Sequence, residues 1–297
     1  MGGRHTSAFK LYGIFGFPLW HTLSPVMQEA AFRARGLKAF FLPFEVSRSA
    51  FRRLMRNRVR LVLDGFNVTV PYKEMAWELL KPRLTPDARA MGAVNVAFRR
   101  KVKWFGANTD CSGFLLSLQK EGKFNPRGKK ILVLGAGGAA RAVVYGLARR
   151  GAREIRIVNR PRFRARREKL IRDFSRIFPR TAFVGLSLTR GDLRKGIKGA
   201  RLVINATSVG VKHETKQLIP DDLIPRARGN NRLLFFDLVY HQGTRFLKAA
   251  KRKGHRTLGG IGMLVFQGAE AFRLWTGHRA PVRVMRSVLA AKGGRVD

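Results

Sequence analysis

The stretch "KKILVLGAGGAARAVVYGLARRG" (129–151) decides the fold of this chain. An apolar strand over 131–134 ends in a glycine-rich turn, and a helix follows over 138–150. Glycines allow a tight turn and a close approach to a pyrophosphate, which the positive end of a helix attracts. The stretch therefore predicts a dinucleotide-binding loop made of Gly135, Ala136, Gly137, Gly138 and Ala139. The alternative is a tight turn without a ligand.

From this loop onward, strands and helices alternate strictly along the chain. The pattern predicts strands over 131–134, 154–158, 182–186, 202–205 and 233–238, and helices over 138–150, 164–177, 189–196 and 244–253. Such alternation is typical of a doubly wound parallel sheet. We therefore expect residues 110–259 to form a Rossmann-type α/β domain that binds the nucleotide.

The residues after the second of these strands indicate which nucleotide is bound. A site for NAD usually places Asp or Glu there, because a carboxylate accepts a hydrogen bond from the ribose 2′-hydroxyl. This chain has Asn159 and Arg160 instead, with Arg164 four residues further on. An arginine can bind a 2′-phosphate, which a carboxylate would repel. The sequence thus favours NADP, and the alternative for Arg164 is the solvated face of an arginine-rich helix.

The first half of the chain predicts a second α/β domain, residues 1–109. Its predicted strands are 10–17, 39–46, 66–70 and a hairpin at 93–98 and 103–108, and its predicted helices are 23–36, 47–57 and 71–80. A further helix, predicted over 110–122, falls within the domain of residues 110–259. Ser24 is expected to cap its helix, and Pro71 fits the first turn of another. Two last helices, 260–277 and 281–294, follow a complete sheet, so we expect them to return to the first domain.

The charge of the chain is unusual. Lys and Arg number 60 against 18 Asp and Glu, which gives a net charge of +42. This excess would suit a nucleic-acid-binding protein, a proteome biased toward basic residues, or a redesigned surface. A nucleic-acid-binding protein concentrates its charge, whereas here the basic runs are dispersed, as in "RRLMRNRVR" (52–60) and "KRKGHR" (251–256). We therefore expect no specific nucleic-acid partner.

Other features of the composition bear on the compartment. Cys111 is the single cysteine, so an intrachain disulfide is impossible, which suits a reducing cytoplasm. The sequence has no uninterrupted apolar run of ~18 residues and no secretory signal. We expect a cytoplasmic protein without a membrane partner, and no metal site is predicted.

Nine motifs, in order, extend the argument to the whole chain. They are "GFPLWHTLSP" (16–25), "GFNVTVPYKE" (65–74), "GAVN" (92–95), "GANTDCSGF" (106–114), "GAGGAARA" (135–142), "NR" (159–160), "NATSVG" (205–210), "DLVY" (237–240) and "GGIGMLVFQGAEAFRLWTG" (259–277). With them the chain resembles the shikimate dehydrogenase (shikimate/quinate dehydrogenase) family over nearly its whole length.

The resemblance implies an NADP-dependent enzyme that reduces 3-dehydroshikimate to shikimate in aromatic amino-acid biosynthesis. It assigns substrate and catalysis to residues 1–109 plus 260–297, and NADP to 110–259, with the substrate between the two domains. Lys73 and Asp110 stand where the family has its catalytic pair. The chemistry is sensible, since reduction of a ketone delivers a hydride and a proton, and a lysine beside the oxygen can pass that proton in either direction.

The resemblance also implies the rest of the site. Thr22 and Ser24 would bind the substrate carboxylate, although helix capping is the alternative for both. The ring hydroxyls would be held by Asn67, Thr69, Asn95, Asp110 and Gln267, while Tyr240 and Gly262 would lie near the pocket and the nicotinamide. Asn205 and Thr207 join the residues expected to bind the cofactor. The expected partner is a small-molecule substrate, shikimate or 3-dehydroshikimate, and the enzyme is expected to be a monomer or a homodimer.

Some positions depart from the family pattern and leave alternatives open. They are Thr22 for serine, Gln28-Glu29 for His-Asn, Pro161 for threonine, Val211 for methionine and His241-Gln242 for Asn-Pro. None removes a catalytic group, but a quinate or dual quinate/shikimate dehydrogenase stays open as an alternative function. A basic nucleic-acid-binding protein on a retired enzyme scaffold is the alternative of another class. It is disfavoured because Lys73, Asp110 and the glycine loop are intact.

Overall fold

The computed structural model of the protein describes residues 9–211, 217–240 and 243–292, so the departure at His241-Gln242 lies outside the described residues. The chain divides into two compact units. The first contains the described residues up to Thr109 together with Gln267–Lys292, and the second contains Asp110–Phe266.

The first unit is built on a five-stranded mixed sheet. Its strands are β1 (Lys10–Gly16), β2 (Ala39–Glu45), β3 (Gly65–Val68), β4 (Val96–Arg100) and β5 (Lys103–Ala107), in the order β2-β1-β3-β4-β5. β1 pairs in parallel with β2 and β3, and β4 pairs antiparallel with β3 and β5. The predicted hairpin is present, and its turn uses Lys101 with a φ of 54° where glycine is more usual.

The helices of the first half are α1 (Ser24–Ala34), α2 (Arg48–Arg56), α3 (Lys73–Leu80) and α4 (Pro86–Met91). The predicted cap at Ser24 is wrong. Leu23 occupies the N-cap position without a side-chain hydrogen bond, and Ser24 is already helical. The turn before the helix lies at residues 19–22, where the Thr22 N–H donates to the Leu19 carbonyl, so the N-cap falls one residue earlier than predicted. Ser24 is buried in the first turn of the helix.

Two further boundaries differ from the prediction. α3 begins at Lys73 rather than at Pro71, because residues 69–72 form a turn in which the Tyr72 N–H donates to the Thr69 carbonyl at 2.9 Å. α4 was not predicted, although Thr85 caps it and Gly92 ends it with a φ of 66°. It has six residues, too few for a helical period to be visible in the sequence.

The second unit is built on a six-stranded parallel sheet. Its strands are β6 (Lys130–Leu134), β7 (Glu154–Asn159), β8 (Ala182–Ser187), β9 (Leu202–Asn205), β10 (Leu234–Asp237) and β11 (Arg256–Leu258), in the order β11-β10-β9-β6-β7-β8. The predicted doubly wound sheet is confirmed. Strand order reverses between β6 and β9, where Leu134 lies in register with Asn205. Ligands of open α/β sheets bind at such a switch point, beyond the carboxyl ends of the strands.

Helices cover this sheet: α5 (Asp110–Lys120), α6 (Gly138–Arg149), α7 (Arg164–Ile177), α8 (Arg190–Ile197) and α9 (Arg245–Arg252). The sheet interior is fully buried at Leu132, Val203 and Phe235. β11 was not predicted, since it has three residues and pairs only with β10 at the edge of the sheet.

Two helices close the chain, α10 (Ile261–Thr276) and α11 (Val282–Ala291). The expected return to the first unit is confirmed. Trp275 stacks on Tyr12 with ring centroids 5.2 Å apart, and its indole N–H donates to the Ala97 carbonyl at 3.0 Å. No helix in the described ranges is long and apolar enough to cross a membrane.

Candidate active site

A buried amide network occupies the first unit at the end of β3 and beside β4. The Thr109 N–H donates to Asn95 Oδ1 at 2.7 Å, which fixes the orientation of that side-chain amide. Asn95 Nδ2 then donates to Thr109 Oγ1 at 3.0 Å and to Gln267 Oε1 at 3.4 Å. Asn67 Nδ2 donates to the Asn95 carbonyl at 3.1 Å. The structure thus brings together three residues that the sequence assigned to substrate hydroxyls.

The network leaves a polar atom in need of a ligand. Asn67 is 4% exposed, and its Oδ1 has no hydrogen-bond partner among the described residues. A buried acceptor without a donor is costly, and native structures supply a partner for nearly all such groups. A ligand hydroxyl that donates to Asn67 Oδ1 would fit this requirement.

Lys73 lies close to this network along the backbone. It is half-buried in the first turn of α3, and its carbonyl accepts from the Val94 N–H at 2.9 Å, next to Asn95. Thr69 precedes it by one turn and packs its methyl group against Gly16, at the carboxyl end of β1. The strand-to-helix corner therefore places Thr69 and Lys73 at the same edge of the sheet as Asn67.

The two hydroxyls of the "HTLSP" segment lie in the adjoining turn. Thr22 Oγ1 accepts from the Ser24 N–H at 3.4 Å, a local hydrogen bond made one residue before the N-cap, Leu23. Ser24 is 6% exposed. Because neither hydroxyl is consumed as the N-cap of α1, both stay available for the predicted carboxylate.

Asp110 and Tyr240 belong to the second unit. Asp110 is the first residue of α5 and is 5% exposed, and Tyr240 is half-buried three residues after β10. Lys73 and Asp110 therefore lie in different units, each held by its own secondary structure.

The glycine loop has the geometry of a phosphate cradle. Gly135 adopts a φ of 110°, and a Cβ there would lie 2.9 Å from the Ala206 carbonyl oxygen, so glycine is required. Gly137 is the N-cap of α6 and offers no side-chain cap, and the first turn carries no acidic residue. The leading N–H groups of α6, from Gly138 and Ala139 onward, are thus open to an anion. The residues present fit the pyrophosphate of a dinucleotide.

Arg160 follows the end of β7, at the place where sites for NAD usually have an Asp or Glu. Asn159 Oδ1 accepts from the Arg160 N–H at 2.9 Å, which orients the turn. The guanidinium groups of Arg160 and Arg162 lie 5.2 and 5.0 Å from the centroid of the Phe163 ring. Arg160 and Arg164 are exposed. Arg162, which the sequence analysis did not select, joins this basic group, and its signal was the repeated Arg of "NRPRFR".

The loop after β9 is held by its own side chains. Asn205 is fully buried, and its Oδ1 accepts from the Thr207 N–H and hydroxyl at 2.9 and 2.7 Å. Its Nδ2 donates to Asp237 Oδ1 at 2.8 Å. Burial raises the pKa of the Asp237 carboxyl to about 6, although hydrogen bonds from Thr244, Val239 and Asn205 act in the opposite direction. Asp237 stands in the motif "DLVY", but the sequence predicted no role for it.

Gly262 lies in the first turn of α10, beside the side chain of Glu121. A Cβ at this position would overlap the carboxylate of Glu121, which also accepts from the Ser117 hydroxyl at 3.1 Å. Because these atoms are the far end of a flexible side chain, which can move aside, the clash does not by itself require glycine, and the predicted contact with the nicotinamide stays a prediction.

Comparisons with known proteins agree with this geometry. Family models described as shikimate dehydrogenase substrate binding domain, shikimate / quinate 5-dehydrogenase and shikimate 5′-dehydrogenase C-terminal domain match residues 14–97, 117–239 and 260–290. A curated shikimate dehydrogenase (NADP(+)) from Geobacter metallireducens is 41% identical over 288 residues, which cover 96% of this chain and 98% of the relative.

Solved structures give the same assignment. Shikimate 5-dehydrogenase from Listeria monocytogenes, in complex with shikimate and NAD, matches with a TM-score of 0.83 at 33% identity and covers 97% of this chain and 99% of its own. The enzyme from Thermus thermophilus, in complex with NADP(H) and shikimate, matches with a TM-score of 0.80 at 34% identity and covers 95% and 99%. This chain therefore belongs to the shikimate dehydrogenase family, NADP-dependent oxidoreductases that act on a CH–OH group.

Proposed function

We propose that this chain catalyses the reversible reduction of 3-dehydroshikimate to shikimate with NADPH. The observation that carries the proposal is the buried amide network around Asn67, whose Oδ1 has no partner among the described residues. A ring hydroxyl of a small polyol would donate to that oxygen. The same network includes Gln267, whose Oε1 accepts from Asn95 Nδ2 at 3.4 Å.

The roles of the remaining residues follow from their chemistry. Thr22 and Ser24 donate hydroxyl hydrogens to the substrate carboxylate, and Thr69 and Asn95 complete the set around the ring. NADPH, when bound, supplies the hydride. Lys73 gives a proton to the substrate oxygen during reduction and takes it back during oxidation. Asp110 orients the lysine ammonium and accepts from a ring hydroxyl, and Tyr240 borders the substrate.

The second unit is proposed to hold the cofactor. The loop 135–139 binds the pyrophosphate, and Asn159, Arg160 and Arg164 receive the adenosine 2′-phosphate. Support comes from the uncapped N-terminus of α6 and from the three exposed arginines that lead into α7. A carboxylate at the end of β7 would favour NAD, and the chain has none at residues 159–164.

The cell compartment and the partners belong to the same proposal. We infer a cytoplasmic enzyme, a monomer or a homodimer, without a specific nucleic-acid partner. The single buried Cys111 and the dispersed basic residues support this inference.

A single assay tests the proposal. Purified protein is mixed with shikimate or quinate and with NADP+ or NAD+, and the absorbance of the reduced nicotinamide is followed. We expect the highest kcat/KM for shikimate with NADP+. Faster oxidation of quinate would reassign the chain to quinate, and no reduction in any combination by folded protein would reject the enzymatic proposal.

A further inference from the structure

Three buried polar residues meet where β9 and β10 end and α9 begins. Asn205 and Asp237 are fully buried, and Thr244 is 8% exposed. The Thr244 hydroxyl donates to Asp237 Oδ2 at 2.7 Å, and Asn205 Nδ2 donates to Asp237 Oδ1 at 2.8 Å. The carboxylate thus ties the end of the neighbouring strand to the start of a helix. We name these three residues the Asp237 clamp.

The side chain of Asn205 has no hydrogen-bonding capacity left for a cofactor. An asparagine side chain offers two N–H donors and two acceptor lone pairs. The donors reach Asp237 and the Val209 carbonyl, at 2.8 and 3.1 Å, and both lone pairs accept from Thr207. Since the residue is also fully buried, its side chain acts within the loop and does not contact a ligand.

The clamp determines the position of the loop 206–210. This loop lies against the glycine turn, because a Cβ on Gly135 would be 2.9 Å from the Ala206 carbonyl and 3.1 Å from the Thr207 methyl group. At its other end, Gly210 adopts a φ of 102° and faces the Thr244 methyl group, 3.3 Å from where a Cβ would lie. The loop is therefore a wall of the phosphate cradle, held at one end by Asn205 and at the other by Thr244.

The carboxylate also holds the segment that follows β10. Asp237 Oδ1 accepts from the Val239 N–H at 3.0 Å, and the Leu238 N–H donates to the Asn205 carbonyl at 3.0 Å. Tyr240, the residue proposed to border the substrate, is next in the chain. The buried carboxylate of Asp237 therefore holds both the loop 206–210 and the backbone that leads to Tyr240.

We propose that the Asp237 clamp is a positioning device for the NADP site, and that Asn205 acts by positioning the loop rather than by binding the cofactor. The inference rests on the proposed function, since it assumes that the cradle at 135–139 binds NADP. It assigns roles to Asp237 and Thr244, and it changes the role predicted for Asn205 from ligand to support.

The chain offers a matched control for Thr244. Thr244 caps α9 by accepting from the Leu247 N–H, and Thr189 caps α8 by accepting from the Asp192 N–H. Both helices have eight residues and lie in the second unit. Only the Thr244 hydroxyl also donates to Asp237. Thr244→Val and Thr189→Val therefore remove similar caps, and only the first opens the clamp.

The experiment measures the Kd of NADP+ by titration calorimetry and Tm by circular dichroism. We expect both valine variants to lower Tm through the lost cap, and Thr244→Val to lower it further, because this change also leaves an oxygen of the buried Asp237 carboxylate without its donor. Thr244→Val should raise the Kd of NADP+ about tenfold, as loss of a hydrogen bond to a charged group does, whereas Thr189→Val should leave it unchanged. Thr244→Ser keeps the hydroxyl and should restore most of the affinity. Equal Kd values in Thr244→Val and Thr189→Val would overturn the proposal.

A double-mutant cycle separates support from direct binding. If Asn205 acts through the clamp, Thr244→Val should add little to the loss already caused by Asn205→Ala, because both changes release the same loop. Additive losses would show that Asn205 binds the cofactor itself and would overturn the proposal. If Thr244→Val does not fold, Asp237→Asn replaces it, and normal NADP+ affinity there has the same meaning. A wild-type protein that does not bind NADP+ would instead contradict the proposed function.

Discussion

Gly135 and Gly137 stand two residues apart in the glycine loop, yet they are glycine for different reasons. Gly135 needs its left-handed backbone and its contact with Ala206, so structure alone explains it. Gly137 has an ordinary φ of −87° and nothing within 4 Å of a Cβ built on it. Neither backbone strain nor a clash requires glycine there. Two reasons remain: the preference for glycine at a helix N-cap, and the space that a bound phosphate would fill.

A substitution at Gly137 therefore tests NADP+ binding with little effect on protein stability. Gly137→Ala should change Tm little, because the conformational entropy that alanine saves on folding is offset by its poorer fit at the N-cap of α6. It should weaken NADP+ by about tenfold or more, since the methyl group displaces the pyrophosphate from the N–H groups of α6. The matched control is Gly191→Ala in α8, which also meets no atom within 4 Å. Unchanged NADP+ affinity in Gly137→Ala would show that the phosphate does not approach this residue.

Lys73 is the residue on which the chemistry depends most. Lys73→Met keeps the length of the side chain and removes its proton, so turnover should fall by ~10²–10⁴-fold, the usual contribution of a general acid–base group. NADP+ affinity should stay normal. Lys81→Met is the control, since Lys81 is an exposed lysine of the same unit that pairs with Glu78 at 3.6 Å. Near-normal turnover in Lys73→Met would reject the assignment.

Sequence reasoning selected residues whose chemistry shows in a motif, and it missed those that act through another side chain. Asn67, Asn95 and Gln267 come from distant parts of the chain and share one network. Thr109 orients Asn95, and Asp237 orients Asn205, but both stand in motifs beside more conspicuous neighbours. A supporting role depends on which atoms face each other, and the order of residues does not contain that information.

At the scale of the element, the sequence predicted the long strands and helices and missed the shortest ones. The β–α alternation of the second unit carries a strong signal, because each strand is a buried apolar run and each helix shows a period of 3.6 residues. α4 and β11 have six and three residues, which is less than either pattern needs. The N-cap of α1 was misplaced because Ser24 is an acceptable cap in sequence, whereas the chain turns at Leu19–Thr22 and leaves Leu23 at the N-cap position and Ser24 inside the helix.

The turn from β7 into α7 sets the expected choice of nucleotide. Arg160→Ala should weaken NADP+ by ~1.5–3 kcal/mol, the range for a hydrogen bond to a charged group, and leave NAD+ almost unaffected. Arg176→Ala removes the same charge from the last turn of α7, which is 14 residues long, and should change neither affinity. Both cofactors are titrated against each variant. Equal weakening by the two substitutions would mean that total charge, rather than a contact with the 2′-phosphate, attracts NADP+.

Over the whole molecule, the basic residues far outnumber the acids that could pair with them. Ion pairs such as Lys10–Asp64, Arg190–Asp222 and Arg252–Asp221 are largely exposed, and pairs of this kind contribute little stability. The net charge of +42 therefore has no evident role in holding the fold. The effect of this charge is therefore expected on the charged ligands that the protein attracts.

Every ligand proposed for this enzyme is an anion: the substrate has a carboxylate and NADP has phosphates. A positive surface raises the rate at which such ligands arrive, and salt screens this effect. We predict that kcat/KM falls as salt rises from ~10 to ~500 mM, mostly through KM, as the Debye length shortens from ~30 Å to below ~8 Å. kcat should change little, because the proton transfer proposed for Lys73 takes place at contact range with the bound substrate, where screening is weak.

The measurement is a set of initial rates across that salt series, with both substrates varied. A neutral osmolyte at matched viscosity is the control, since it slows diffusion without screening charge, and it should not reproduce the fall. Arg160→Ala should retain the salt dependence, because one contact among 60 basic residues contributes little to the long-range field. A kcat/KM that stays flat would show that the charge does not assist catalysis, and a basic proteome or a redesigned surface would then explain it.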